Sequence, residues 1–142
     1  MTDTATVDCD FQLDARLLAD SVFVIDGPLS QIRLINDTRF PWLVLVPRIA
    51  GLTELPELDD AQQQLLLREL NRAGRAIRQE PKVHKVNIGA LGNIVRQLHI
   101  HVVGRHEEDA AWPGPVWGSG AAERFTPEAL AERVAHWRSR LG

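Results

Sequence analysis

The sequence predicts an α+β domain: a five-stranded antiparallel sheet with one long helix and a C-terminal helix. Three observations lead there. Short apolar runs cluster between 22 and 46 and again between 83 and 103, instead of alternating with helices; this favours an antiparallel sheet over a doubly wound one. One stretch, 59–79, repeats its apolar residues at helical spacing. Gln97 to Val103 sets Gln97, His99 and His101 against Leu98, Ile100 and Val102, the period of a half-buried strand.

The elements follow in order. Residues 1–10 read as a loose, acidic start. Asp14–Asp20 makes a short helix with Leu13, Leu17 and Leu18 on one side. Val22–Ile25 is a first strand, ended by the turn signal Asp26-Gly27-Pro28. Ser30–Ile35 is a second strand, broken by Asn36-Asp37. Trp42–Val46 is nearly all apolar and reads as a strand buried on both faces. The three are closely spaced, as in a meander. The long helix 59–79 takes Asp59 or Asp60 as its cap and stops at Pro81. Leu58, Leu65, Leu66, Leu70 and Ile77 form its apolar stripe, with Gln62, Arg68, Glu69, Arg72 and Arg75 mostly opposite. At 1.5 Å per residue it is about 30 Å long, enough to cross a sheet. Val83–Ile88 is a fourth strand and Gly89–Gly92 a turn. Arg96–Val103 is the last strand, ended by Gly104-Arg105. A charged and then Trp/Pro-rich loop follows, and Thr126 caps a terminal helix at Pro127–Leu141.

The 142 residues suit a single domain spanning 1–142, with a core at about 11–105 and the Trp/Pro loop and last helix in 106–142. A net charge of −3 argues against a nucleic-acid binder. Lys82 and Lys85 are the only lysines among 16 cations; the rest are arginines, whose forks suit phosphate or carboxylate. One cysteine, Cys9, excludes an internal disulfide framework. No apolar run is long enough to span a membrane, and Met1-Thr2-Asp3-Thr4 is unlike a secretory signal, so the expectation is a cytoplasmic protein.

The chemistry concentrates in Gln97-x-His99-x-His101. On one strand face these residues stand about 7 Å apart. A neutral imidazole with one nitrogen tied down as a donor presents a lone pair at the other, and is a nucleophile near pH 7. A second imidazole two residues on can bond a substrate oxygen or give a proton to a leaving group. Phosphorus carrying a good leaving group is the matching electrophile. Two other readings stay open from the residues alone. His-x-His is also a zinc-ligand spacing, which would make His99 and His101 ligands in a metal-dependent hydrolase. Two solvated histidines on a sheet face would do neither.

The stretch resembles the signature of the histidine-triad (HIT) family of nucleotidyl hydrolases and transferases, His-φ-His-φ-His-φ-φ. The likeness extends to Asn36-Asp37, to Trp42-Leu-Val-Leu-Val-Pro-Arg48, to Asn87-x-Gly89, to Val103-Gly104-Arg105 and to the later Trp112-Pro113, covering roughly residues 20–105 in order and spacing. It implies a HIT-like five-stranded sheet, a homodimer in which two sheets join, and no required metal or cofactor. It implies a hydrolase of phosphorus anhydride or phosphoramidate bonds, diadenosine tetraphosphate hydrolase-like, acting at the α-phosphate of a dinucleoside polyphosphate or nucleoside phosphoramidate. By position, His99 is the nucleophile and His101 the phosphate contact. Asp37 accepts from ribose hydroxyls and Asn87 holds the phosphate or leaving group; Asn36, Gly92 and Asn93 complete the substrate-binding set. The sequence departs from the pattern twice. Gln97 stands at the first triad position, serving as well as His if its carbonyl does the work. Ile94 stands where the family has a hydroxyl, with Asn93 beside it as a substitute. A catalytically weak nucleotide-binding module is the alternative these departures suggest.

The remaining candidates have ordinary readings. His84 differs in strand parity from Asn87. His106 and His136 read as solvated, and Arg48 and Arg105 as strand-end arginines within reach of phosphate. The Trp112–Trp117 loop is either pinned to the sheet by burial of its rings or laid over the catalytic face or across a dimer partner, setting leaving-group preference.

Overall fold

Asp26-Gly27-Pro28 turns the chain, and β1 (Ser21–Asp26) pairs antiparallel with β2 (Ser30–Ile35) across it. β2 pairs with β3 (Trp42–Pro47), completing the expected meander. The computed structural model describes residues 8–142, so the Met1-Thr2-Asp3-Thr4 expectation lies outside the described residues. Two further strands, β4 (Lys85–Gly89) and β5 (Ile100–Arg105), pair with each other, and β5 lies against β3. The sheet order is β1-β2-β3-β5-β4, antiparallel throughout.

The helices are α1 (Ala15–Asp20), α2 (Asp60–Arg78) and α3 (Pro127–Leu141). Asp59 caps α2 in a reciprocal box with Gln62, and Thr126 caps α3 with Pro127 at its first position. Both helices cover one sheet face. Ile32, Leu34, Leu43, Leu45 and Val102 meet Ala73, Ala76 and Ile77 of α2 and Trp137 and Leu141 of α3 there. On the other face Trp42 and Val103 pack with Phe40 and Val116, so β3 is buried on both sides as its unbroken apolar run requires.

Four expectations are corrected. The last strand begins at Ile100 rather than Arg96: the ladder with β3 stops at the Leu45–Ile100 pair, since the chain bends at Gln97 and the Leu98 N–H goes to the Leu52 carbonyl instead. At its other end Gly104 and Arg105 continue the ladder against Val86 and Lys85. Glu69 lies in the buried stripe of α2, not opposite it. Its Oε2 accepts from the N–H groups of Leu29 and Ser30, both at 2.9 Å, capping the β1–β2 turn. A Cβ at Gly27 would stand 2.3 Å from that oxygen, so a side chain there would displace the carboxylate from its two N–H groups. His136 is not simply solvated: its Nε2 is 2.7 Å from Glu80, which also pairs with Arg133 and so ties α3 to the end of α2. Asp8 is likewise held, donating its N–H to the Arg48 carbonyl and accepting from Ala50 N–H.

Candidate active site

Strand alternation turns His101 and Val103 away from the helices. His101 lies between Val44 of β3 and Gly89 of β4 in the sheet. His99 directly precedes the strand, and the two rings are 5.0 Å apart, nearly perpendicular. Both are buried, at 7% and 8% exposure, yet both line a cavity of about 540 Å³. A cavity of this size accommodates a drug-sized or nucleotide-sized ligand.

The two imidazoles are tied differently. Nδ1 of His99 donates to the carbonyl of Gln97 at 2.7 Å, leaving Nε2 as a lone pair for the cavity. Nδ1 of His101 accepts from the indole N–H of Trp42 at 2.8 Å. Burial, and then the neighbouring His99, push the His101 imidazolium down to about 3, so this ring is neutral at pH 7.

Gln97 contributes through its backbone. Its side chain turns away to the N-terminal segment, accepting from Asp14 N–H and donating to the Gln12 carbonyl, each at 2.8 Å. Asn36, Asp37, Gly92 and Asn93 all line the cavity with the histidines. Asp37 does not present a free carboxylate. Arg39 grips both oxygens, and the N–H groups of Arg39 and Glu123 bond Oδ1 as well. Burial raises its pKa, but these bonds outweigh burial and hold it below the ordinary carboxylate value. Asn36 accepts from Phe125 N–H. The Asn36-Asp37 turn therefore fastens the 119–125 segment, whose Gly120, Ala122 and Arg124 form the cavity's outer wall.

Asn87 is not among the residues that line the cavity; its Oδ1 accepts from Arg105 at 2.8 Å. It sits opposite Val103, two residues beyond the Gly89–His101 pair, where the buried guanidinium claims it. Arg105 is no surface arginine. At 1% exposure it forks onto Asp109, donates to the Gly114 carbonyl and stacks between Phe40 and Trp112. Such a pair is weak evidence for net stability, but it holds the 106–117 loop in one conformation. Arg48 also stays away from the site, bonding the Gly27 and Leu29 carbonyls.

That loop delivers Trp117 to the site, with its ring 5.6 Å from His101. A Cβ at Gly89 would stand 2.8 Å from the Trp117 ring, which explains the glycine of Asn87-x-Gly89. Within the loop Trp112 packs on Arg105, and Trp117 lies beside His101. Arg16, Leu17 and Asp20 of α1 close the cavity opposite. Sequence reasoning missed these, along with Trp42 and Glu69. For Glu69 a signal was present, since Leu66, Glu69, Ala73 and Ala76 follow helical spacing. Among the described residues, no third His, Cys, Asp or Glu stands with His99 and His101 at metal-ligand distances.

An α+β fold with an antiparallel sheet carries two buried, oppositely tied imidazoles beside a cavity. The chain belongs to the HIT domain family, whose model matches residues 16–108. It is similar to a histidine triad protein from Sinorhizobium meliloti 1021, at 45% identity and a TM-score of 0.89 over 93% of this chain and 98% of that one. A histidine triad protein from Marinobacter aquaeolei VT8 is 40% identical, with a TM-score of 0.89 over 92% of this chain and 96% of that one. One from Bradyrhizobium japonicum is 39% identical, with a TM-score of 0.88 over 93% and 98%. A comparison with curated proteins finds no match. The family is in general one of nucleotide-binding hydrolases and transferases. Among the described residues, no helix is long and apolar enough to cross a membrane.

Proposed function

We propose that the chain hydrolyses or transfers the nucleotidyl group of a nucleotide derivative, a dinucleoside polyphosphate or a nucleoside phosphoramidate, through a nucleotidyl-histidine intermediate. The observation that carries this reading is the 2.7 Å bond from His99 Nδ1 to the Gln97 carbonyl, which leaves a bare Nε2 beside the cavity. Nε2 attacks the α-phosphorus. An N–P bond forms, and the P–O or P–N bond to the leaving group breaks, the leaving group keeping the electron pair; an amine leaving group takes up a proton from solvent as the P–N bond breaks. Water or an acceptor hydroxyl then adds to phosphorus, the N–P bond breaks, and the acceptor's proton passes to solvent. His101 hydrogen-bonds a phosphate oxygen throughout. Gln97 serves through its carbonyl, so an amide in place of a triad imidazole leaves this chemistry intact.

Leu17 and Ile35 give the cavity apolar walls suited to a base, and Asn36 contacts the ribose. Asp37 acts there chiefly through the wall it fastens. Gly92 and Asn93, which also line the cavity, would hold the phosphate or leaving group in this reading. The proposal needs no cofactor. It includes a homodimer joined at the sheet edge, which sedimentation at varied concentration measures.

The test is release of nucleoside monophosphate from a diadenosine polyphosphate and from an adenosine phosphoramidate, with and without chelator. Turnover should resist chelator and fall by at least ~10³-fold in His99→Ala, with nucleotide binding largely kept. A His99→Ala variant that retains most activity overturns the nucleophile. Binding without release from either substrate points to a binding module instead.

A further inference from the structure

We propose that Trp42 is a positioning residue for this reaction: its indole N–H, donated to His101 Nδ1, locks His101 as the tautomer that carries its proton on Nε2 and offers it to the substrate's phosphate. The inference rests on the reading of the cavity given above.

Indole nitrogen is a donor only. The 2.8 Å bond from Trp42 Nε1 therefore requires a bare Nδ1 on His101. A neutral imidazole with Nδ1 bare carries hydrogen on Nε2. That nitrogen has no hydrogen-bond partner among the described residues, and His101 lines the cavity. The bond is built into the sheet. Trp42 sits opposite Val103, so its indole reaches diagonally from β3 to the His101 position on β5. The Trp42 ring stands 5.5 Å from the imidazole and the Trp117 ring 5.6 Å from it, both steeply inclined to its plane. Both bonded residues are buried, so water does not compete for Nδ1.

His99 has a partner of the opposite kind. A carbonyl only accepts, so it places hydrogen on Nδ1 and bares Nε2. Two imidazoles 5.0 Å apart are thus set in opposite senses. One presents a lone pair to phosphorus, and the other presents an N–H to an oxygen on which charge develops. If His101 took the other tautomer, two lone pairs would face the substrate and that oxygen would lose its donor.

The first measurement is long-range ¹H–¹⁵N correlation of the histidine rings in the wild-type protein. His101 should show a bare Nδ1 and a protonated Nε2; hydrogen on Nδ1 overturns the proposal. The second compares Trp42→Phe with Trp42→His. Both shrink the side chain, but only His keeps an N–H. Trp42→Phe should lower kcat by roughly tenfold or more, short of the ~10²–10³-fold of losing a donor outright. KM should stay within about threefold, and Trp42→His should recover part of kcat. A packing role predicts the reverse order, since Phe is the better apolar filler; Phe equal to or above His refutes a donor role. If neither variant folds, the wild-type ring nitrogens still decide. Failure of the wider reading shows separately, as turnover that survives His99→Ala.

Discussion

Removing the side chain of Gln97 separates what this position does for the fold from what it does for the chemistry. Gln97→Ala deletes two neutral hydrogen bonds to the backbone of the N-terminal segment, at Asp14 N–H and the Gln12 carbonyl. Each bond of this kind contributes about 0.5–1.5 kcal/mol net. The Gln12 bond is exposed and the Asp14 bond only partly buried, so the sum falls in the lower half, about 1–2 kcal/mol. For a chain of this length that lowers Tm by roughly 2–8 °C. The carbonyl that orients His99 remains, because alanine keeps the backbone. The assay pairs thermal melting with turnover of the better nucleotide substrate. Expected is a lower Tm with kcat within about threefold of wild type. A fall in kcat of ~10²-fold with Tm unchanged would refute the reasoning, since the amide would then act on the substrate or the proton.

Glu69→Ala strips the acceptor from two buried N–H groups at Leu29 and Ser30. It should cost about 2–4 kcal/mol in urea unfolding, and a cost under about 0.5 kcal/mol would rule out the cap. Burial raises the Asp109 carboxyl, but bonds from Arg105 and from the N–H groups of Ala111 and His106 outweigh it and hold the carboxyl at about 2. A depressed folded-state value means that the pair's stabilisation is present above the ordinary value of 3.8 and lost as pH falls from there through about 2. Melting of the wild type should show this acid loss and Asp109→Asn should flatten it; parallel curves would contradict the assignment.

The elements with strong local signals were legible. Ser30–Ile35, the buried run from Trp42, the Asp59 cap and the Thr126-Pro127 start of α3 all appear where their residues place them. Strand ends were not. Arg96 to His99 have the right alternation but leave the β3 ladder, Leu98 bonding Leu52 instead, and Gly104-Arg105 read as a stop although β4 continues beside them. A strand extends only as far as it is paired, and the pairing partners are distant in sequence.

The site divides the same way. The alternating pattern of Gln97 to Val103, by itself, was enough to put His99 and His101 on one face, because strand periodicity is local. It also sufficed, with Asn36-Asp37 and Asn87-x-Gly89, to indicate the HIT domain. Only the tertiary structure decided which nitrogen of each imidazole is free, since that depends on a carbonyl two residues back and on an indole 59 residues away. It alone took Asn87 out of the cavity, gave Asp37 to Arg39 and brought Trp117 over Gly89. A hydrogen-bonding group's role is set by the partner that reaches it first, and folding chooses that partner.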